Sequence, residues 1–416
     1  MVSHADILIV GAGAAGLMAG IHAGRACKKN GLGQRVVILD GSKRIGTKIL
    51  VAGGGRCNVT HDVVLPEDYS GPSKHTVKAV LDSFPVAQTV AFFADLGVNL
   101  KREDTGKLFP TTDRARSVLE ALENACDAAG VKILTEHRVT AIAQTPAGFA
   151  VETSQGPWTC KKLIVTTGGK ALPSSGSDGG GYALVQSLGH TVSDTWPGLV
   201  PLTITKNHWI TELKGITFDG ELRLEGPPGK LLHKQAGSIL FAHFGLSGPA
   251  PMDISRHLRG HAKAKPQLLL SFLPGVDLAK ADAMLAQLAA KRPRALWPTL
   301  LHEELHLSSQ LADRLGTLNT PALPAGQCPR EARRALAQTL TGLPIPVTGD
   351  RGYEYAEVTA GGVPLLEVNT KTMASRVCEN LFLAGEILDC DGRIGGYNFQ
   401  WAWGTGRLAG VAAGDW

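Results

Sequence analysis

The segment Ile7-Leu8-Ile9-Val10-Gly11-Ala12-Gly13-Ala14-Ala15-Gly16 joins an apolar strand to a GxGxxG turn that opens a helix. A second apolar run ends in Asp40, close to the spacing of about 20 residues at which an acid reaches a ribose hydroxyl. The glycines permit a tight turn, the approach of a pyrophosphate and close packing of helix on strand. The pattern predicts an α/β, Rossmann-like domain that binds a dinucleotide through Gly11, Gly13, Ala14, Ala15, Gly16 and Asp40.

The bulk composition is that of a globular protein. The chain has 416 residues, of which 44% are hydrophobic and 19% charged, enough for two or three domains with full cores. The first residues lack the pattern of a signal peptide and no apolar run is judged long enough to span a bilayer, so we expect a cytoplasmic protein without membrane association. Seven cysteines without a CxxC pair argue against a disulfide framework and against a cysteine zinc site.

The formal net charge of +5 is concentrated in the middle of the chain. Between Thr191 and Gly349 there are 17 Lys and Arg against 12 Asp and Glu. This excess indicates either a solvated basic face or a surface that meets phosphates. The basic residues that would dock RNA are Lys291, Arg292, Arg294, Arg333 and Arg334.

The order of patterns along the chain predicts one domain built from both chain ends. Alternating segments at 202–205, 216–224 and 267–272 predict antiparallel strands, and residues 277–341 predict helices broken by prolines. After residue 350 an apolar strand runs into Gly385-Glu386, and Gly395-Gly396 opens a final helix. Because several glycine-rich strand ends would meet one ligand, they favour FAD over NAD.

Several stretches, above all 53–60 (GGGRCNVT) and 395–403 (GGYNFQWAW), resemble the BaiN/RdsA family of NAD(P)/FAD-dependent oxidoreductases. The resemblance implies a Rossmann-like FAD-binding domain over 1–190 and 350–416. It is interrupted by a β-barrel-like domain, 191–275 and 342–349, which carries a helical subdomain, 276–341. Asp40, where Glu is common, and the segment Gln400-Trp401-Ala402-Trp403 depart from the family pattern.

The resemblance also implies a chemistry. We expect a FAD-dependent oxidoreductase that reduces activated, carbonyl-conjugated C=C bonds with hydride from reduced flavin, with NADH or NADPH as a transient donor. Its substrate would be a small-molecule enone or a uracil in RNA. The alternative is an RNA-directed flavoenzyme, or a ribosomal RNA-binding modification factor that forms dihydrouridine, docking through the basic insertion.

The expected site residues come from all the glycine-rich segments. The additional cofactor-binding residues are Lys48, Gly54, Gly55, Arg56, Cys57, Asn58, Val139, Thr167, Gly168, Gly169, Gly385, Glu386, Gly395, Gly396, Tyr397 and Asn398. Cys57 is either the proton donor beside the flavin or a small residue packed against it. His243 is either an acid that polarises the substrate carbonyl or a structural histidine.

The segment His302-Glu303-Glu304-Leu305-His306 satisfies the zincin pattern HExxH. Prolines flank it, Glu304 adds charge to a stretch usually apolar, and no third ligand is evident downstream. We therefore predict an exposed helix there and no metal site.

Overall fold

The computed structural model describes residues 2–31, 33–71, 73–227 and 229–415. The chain forms two compact units. The first comprises Met1–Gly198 and Ala356–Trp416, and the second Leu199–Tyr355. The first division falls after Gly198 rather than after residue 190, because Trp196–Gly198 pairs antiparallel with Val358–Ala360 inside the first unit.

The longer helices, numbered along the chain, are α1 (Ala14–Lys29), α2 (Thr47–Gly55), α3 (Lys74–Ser83), α4 (Val86–Asp95), α5 (Ala115–Ala128), α6 (Gly180–Ser187), α7 (Trp209–Glu212), α8 (Pro249–Gly260), α9 (Leu278–Lys291), α10 (Trp297–Leu305), α11 (Ser309–Leu318), α12 (Arg330–Gly342) and α13 (Tyr397–Gly414).

The strands are β1 (Ser3–Val10), β2 (Val36–Leu39), β3 (Thr60–His61), β4 (Tyr69–Ser70), β5 (Leu100–Arg102), β6 (Lys107–Pro110), β7 (Lys132–Leu134), β8 (Val139–Thr145), β9 (Gly148–Thr153), β10 (Trp158–Val165), β11 (Trp196–Gly198), β12 (Leu202–Ile204), β13 (Thr217–Gly226), β14 (Lys230–Ala242), β15 (Gly245–Ser247), β16 (Gln267–Ser271), β17 (Leu343–Ile345), β18 (Val347–Asp350), β19 (Val358–Ala360), β20 (Val368–Asn369), β21 (Ala374–Ser375), β22 (Leu381–Leu383) and β23 (Asp391–Gly392).

The first unit is built on a sheet whose central strands are parallel, in the order β22-β10-β1-β2-β7. Its strands read as continuous apolar runs because both faces of a parallel sheet are covered. In the register, Val10 of β1 lies beside Leu39 of β2 and Val165 of β10, and Val165 lies beside Leu383 of β22. The carboxyl ends of strands from both chain ends therefore meet at one edge, where ligands of such sheets bind. The predicted Rossmann-like fold is confirmed.

Helices α1 and α13 pack against each other in parallel. A Cβ added to Gly406 would lie 2.4 Å from the carbonyl oxygen of Ala15, and one added to Gly410 would lie 2.2 Å from that of Ala19. Contacts this close require glycine, and they advance in the same direction along both helices. About eight more residues of α13 than of α1 precede the contact between Gly406 and Ala15. The N-terminus of α13 therefore extends about 12 Å beyond that of α1.

One stretch of the first unit has the length and composition of a membrane span, contrary to the sequence expectation. Lys74–Asp95 has 22 residues, and an 18-residue segment within it has a mean hydropathy of 1.2 and is 39% buried. In the structure it forms two helices, α3 and α4, with Pro85 as the N-cap of the second. Their buried side chains, such as Val80 and Phe93, belong to the core of the first unit. Length and composition alone are weak indications of a span.

The second unit is built on a seven-stranded antiparallel sheet, ordered β17-β16-β13-β14-β15-β12-β18. Helices α9 to α12 lie between β16 and β17 in sequence and share one hydrophobic core with the sheet. The antiparallel strands and the helical segment predicted for this region are confirmed. The barrel-like closure of the sheet stays a prediction.

Candidate dinucleotide site

The turn from β1 to α1 has the geometry that the glycine pattern predicted. A Cβ on Gly16 would lie 1.8 Å from the carbonyl oxygen of Gly11, so only glycine allows the helix to approach the strand this closely. By contrast, a Cβ on Gly13 would meet nothing within 4 Å among the described residues. The N-cap of α1 is Gly13, with no side-chain cap and no acid in the first turn. Ala14 and Ala15 therefore present a helix N-terminus suited to phosphate.

Asp40 follows β2 at the same edge of the sheet. One carboxylate oxygen accepts a hydrogen bond from the amide of Ala12 at 2.7 Å, and the other accepts one from the amide of Ser42 at 2.8 Å. An ionised carboxylate has about four lone-pair positions, so two remain for ribose hydroxyls. Asp40 is thus held in place by the β1–α1 turn, and its contact with a ribose stays a prediction.

The last part of α2 is kinked by two left-handed glycines inside its range. Gly53 has φ 57° and Gly54 has φ 69°, and Gly55 follows with φ 85°. The next residue, Arg56, donates to Glu103 at 2.5 Å, and its guanidinium lies 4.0 Å from the ring centroid of Phe109. The structure therefore gives Arg56 an ion pair with the turn between β5 and β6.

Cys57 is fully buried, and burial raises the pKa of its thiol to about 12. Its backbone is held in a left-handed conformation, φ 63°, with its amide donating to the carbonyl of Ala52 at 2.9 Å. A thiol in this environment stays protonated at neutral pH and is a poor nucleophile.

Two buried polar atoms near these loops have no hydrogen-bond partner in the described part of the chain. They are the amide oxygen of Asn58 and the hydroxyl oxygen of Thr167. Asn58 is 7% exposed and lies shortly after the kinked end of α2, and Thr167 follows β10. Buried polar atoms rarely lack a partner in native proteins, so each of these is suited to hydrogen-bond a ligand.

Glu386, which follows β22, joins segments that are distant in the sequence. Its Oε2 accepts from Lys48 Nζ at 2.6 Å, and its Oε1 accepts from the amide of Thr359 at 2.9 Å. The Thr359 hydroxyl accepts from the amides of Lys170 and Ala171, at 2.7 and 3.0 Å.

The glycine after β10 belongs to the same contact. A Cβ on Gly169 would meet Thr359 Oγ1 at 2.3 Å and Glu386 Oε1 at 3.0 Å. Gly168 beside it is left-handed, with φ 74°. The structure thus brings Lys48, Gly169 and Glu386 together, and their binding of a cofactor stays a prediction.

The N-terminus of α13 forms the far end of this edge. Gly396 is its N-cap, with φ 97°, no side-chain cap and no acid in the first turn. The Asn398 side chain accepts from the Gly392 amide at 2.8 Å and donates to the Gly392 carbonyl at 3.0 Å. The ring of Tyr397 stacks on that of His61, with centroids 5.0 Å apart. Asn398 therefore secures the preceding loop, and its backbone remains part of the helix N-terminus.

Three other predicted features have the following places. Val139 is a buried residue that begins β8 in the first unit. Gly385 follows β22, and its amide donates to Thr405 Oγ1 of α13 at 3.0 Å. His243 lies in the second unit, between β14 and β15, with its ring edge-on to Phe244 at 5.0 Å between centroids.

The HExxH segment is not a metal-binding helix face. Helix α10 ends at Leu305, and His306 is its left-handed C-cap, φ 56°. The two histidines therefore do not occupy successive turns of one helix. His302 Nδ1 is hydrogen-bonded to the Leu307 carbonyl at 2.7 Å, and Glu303 is paired with Arg292. Over the described ranges, no group of three metal-ligating side chains is present.

Thr359, Thr405 and Gln400 make contacts in the site that were not predicted from the sequence. Gln400 lies inside a segment quoted above for the family resemblance, where it departs from the family pattern. Their partners are distant in sequence, so no local pattern reveals the contacts.

The residues at this edge fit FAD. Two uncapped helix N-termini, offset by about 12 Å, suit a ligand with a phosphate group and a second electronegative part further along. Asp40, Glu386, Asn58 and Thr167 supply acceptors between and beside them. A dinucleotide with an extended linker between pyrophosphate and ring matches this arrangement.

Comparison with known proteins identifies the family. The family model described as "HI0933-like protein Rossmann domain" matches residues 5–412. A 3-dehydro-bile acid delta(4,6)-reductase of Clostridium scindens is 36% identical, with 98% of each chain covered. A ribosomal RNA dihydrouridine synthase of Escherichia coli is 33% identical, with 96% of each chain covered.

Solved structures share the fold. A 3-ketosteroid-delta4-(5alpha)-dehydrogenase from Rhodococcus jostii matches with a TM-score of 0.51 and 15% identity, covering 100% of this chain and 97% of that one. The FrdA chain of Escherichia coli quinol fumarate reductase matches with a TM-score of 0.50 and 14% identity, covering 100% and 71%. The family match across nearly the whole chain and the full-length relatives agree with the site geometry. The chain belongs to the HI0933-like family and is a FAD-dependent oxidoreductase.

Proposed function

We propose that this protein reduces carbon–carbon double bonds conjugated to a carbonyl group, and that FAD bound at the edge described above supplies the hydride. The observation that carries the proposal is the parallel α1–α13 pair, whose two uncapped N-termini face this edge. The names of the relatives support the reaction class. One describes the reduction of a 3-dehydro bile acid and the other the formation of dihydrouridine, and both reactions saturate a bond conjugated to a carbonyl.

The binding residues divide by the part of FAD that they would hold. The α1 N-terminus, with Gly13 at its start, would hold the pyrophosphate. Asp40 would hold the adenosine ribose, and Glu386 the ribityl chain. When bound, FAD supplies hydride transfer, which protein side chains cannot perform.

The N-terminus of α13 would stabilise charge. Its amides and the positive end of its dipole favour a negative charge that develops beside the first turn. Because no acidic side chain occupies that turn, nothing there offsets the effect. A cofactor that becomes more negative on reduction would therefore have its reduction potential raised at this position.

Reduction of a double bond also requires a proton at the carbon opposite the hydride. Cys57 holds its proton firmly, since burial raises the pKa of its thiol to about 12. Proton donors work best when their pKa lies near the working pH. The structure therefore supports packing rather than proton donation for Cys57, and we propose His243 as the group to test as acid.

The experiment is reconstitution followed by turnover. Protein refolded with FAD is expected to bind one FAD per chain, to be reduced by NADH or NADPH, and to be reoxidised without oxygen by an enone. His243→Gln is expected to slow the reoxidation while leaving FAD content unchanged. A protein that takes up no FAD, or whose reduced form reacts only with oxygen, would contradict the proposal.

The second candidate is the same reaction on a uracil in ribosomal RNA. The names of the Escherichia coli and Haemophilus influenzae relatives, 33% and 30% identical, favour it. Two of the basic residues predicted to dock RNA form ion pairs within the protein, Arg333 with Asp282 at 2.8 Å and Arg292 with Glu304 at 3.3 Å. The test therefore concentrates on Arg294 and Arg334.

Replacing both by Gln should weaken binding of ribosomal RNA fragments and flatten its salt dependence if RNA is the substrate. Lys78→Gln, an exposed change in the first unit, is the matched control. If the enone reaction persists and neither change affects RNA affinity, the substrate is a small molecule.

A further inference from the structure

Gln400, in the first turn of α13, is the centre of a buried polar network. The residue is only 1% exposed. The amide oxygen accepts hydrogen bonds from the hydroxyls of Thr60, at 2.7 Å, and Thr89, at 2.9 Å. The amide nitrogen donates to the carbonyl of Phe84 at 2.7 Å. Three separate segments of the chain therefore converge on one side chain.

The three partners of Gln400 lie outside α13. Thr60 is on β3, Thr89 is on α4, and Phe84 lies between α3 and α4. Both threonines are completely buried. A buried polar group that loses its hydrogen-bond partner destabilises the protein, so the network stabilises one position of α13 against these segments.

The network acts at the helix end that would serve the cofactor. Gly396, the N-cap of α13, is so close to Thr60 that a Cβ there would lie 2.6 Å from its backbone. Gln400 lies one turn further along, and its own amide donates to the Gly396 carbonyl at 2.9 Å. Trp403 adds a second tie, from its Nε1 to the carbonyl of Val59 at 2.9 Å. The start of α13 is therefore fixed against β3 and the residue before it by the buried side chains of Gln400 and Trp403.

We propose that Gln400 is a positioning residue, which sets the reduction potential of the bound flavin by fixing the N-terminus of α13. This inference rests on the proposed function, because it takes FAD to lie at this helix end. The electrostatic effect of a helix terminus falls off within its first turn. A small displacement of the turn is thus enough to weaken the stabilisation of negative charge.

The test compares variants that remove one contact at a time. Gln400→Met keeps the length of the side chain and removes all three hydrogen bonds. Thr89→Val removes one donor and keeps the shape, whereas Thr89→Ser restores the hydroxyl. Thr341→Val is the matched control, because Thr341 is a buried threonine of the second unit whose hydroxyl donates to Ala337 of its own helix, at 2.8 Å.

The readout is the flavin reduction potential, measured by equilibration with reference dyes. We expect Gln400→Met to lose at least tenfold in the preference for reduced over oxidised flavin, which is a fall of about 30 mV for two electrons. Thr89→Val should shift the potential in the same direction by less, and Thr89→Ser should restore it. Thr341→Val should leave it unchanged.

The outcomes separate this inference from the proposed function. If the wild-type protein takes up no FAD, the proposed function fails. If the wild type and the variants bind FAD but Gln400→Met and Thr89→Val keep the wild-type potential, the inference about Gln400 is overturned. Should Gln400→Met fail to fold, the comparison of Thr89→Val with Thr89→Ser decides.

Discussion

Two glycine-to-alanine substitutions on α13 test whether its contact with α1 fixes the site. At Gly410 an added Cβ would lie 2.2 Å from the carbonyl oxygen of Ala19, so one helix must move by about 1 Å to reach an ordinary contact. At Gly404 the nearest atom would be Val80 Cγ1 at 3.4 Å, which is an ordinary contact. Both positions are buried and inside the same helix.

The magnitudes follow from this difference in space. Alanine is favoured over glycine in a helix interior by about 1 kcal/mol, and both variants gain this. Overpacking a core costs about 1–3 kcal/mol, and only Gly410→Ala incurs it. We expect Gly404→Ala to be neutral or slightly stabilising, and Gly410→Ala to be less stable than it by about 1–3 kcal/mol.

Hydrogen exchange in peptides from α1 and α13 measures the effect within the first unit, and FAD titration measures its consequence for the site. Gly410→Ala should exchange faster in both helices and bind FAD more weakly, because the spacing of the two helix N-termini changes. Equal exchange and equal FAD affinity for the two variants would refute the packing argument.

Three further changes have defined outcomes. Burial lowers the pKa of His22 to about 3, aided by Arg407 and Arg25. The stability that depends on neutral His22 is therefore complete above pH 6.5 and is lost as the pH falls, by about 2 kcal/mol at pH 5. In urea unfolding, His22→Phe should lack this part of the acid loss. A pH dependence identical to that of the wild type would contradict the burial. Because burial raises the pKa of Cys57 to about 12, the protein loses stability as the pH rises above 9, by about 1.4 kcal/mol at pH 10. Cys57→Ala should show a smaller alkaline loss of stability. Rapid alkylation of Cys57 at pH 8 in the folded wild-type protein would refute this. Glu386→Gln removes the ion pair with Lys48 and should weaken FAD binding by tenfold or more, since hydrogen bonds to charged groups contribute about 1.5–3 kcal/mol; an unchanged dissociation constant in fluorescence titration would place the ribityl chain elsewhere.

The parts of the fold that local sequence determines were predictable. The β1–α1–β2 unit follows from apolar runs and glycines a few residues apart, and its geometry at Gly16 agrees with the reasoning from sequence. The start of α13 likewise followed from Gly395 and Gly396. Both depend on residues close together in the chain.

Contacts between distant residues were not predictable in the same way. The stretch 74–95 has the hydropathy of one long helix, and Pro85 divides it into two. Lys48 and Glu386 were each assigned to the cofactor, but their mutual ion pair joins residues 338 positions apart. The network of Gln400 likewise joins positions more than 300 residues apart. No periodicity or spacing specifies such pairs, because they arise only when the two chain ends fold together.

The central claim is that this edge holds a flavin that reduces conjugated double bonds. The most direct measurement mixes FAD-loaded, fully reduced protein with a 3-oxo-4-ene steroid or a uridine-containing ribosomal RNA fragment in the absence of oxygen, and follows the flavin absorbance together with the product. We predict that one of these substrates reoxidises the flavin and that one saturated bond forms for each reduced flavin that is reoxidised to FAD. Reduced flavin that neither substrate reoxidises, but that oxygen reoxidises at once, would contradict it.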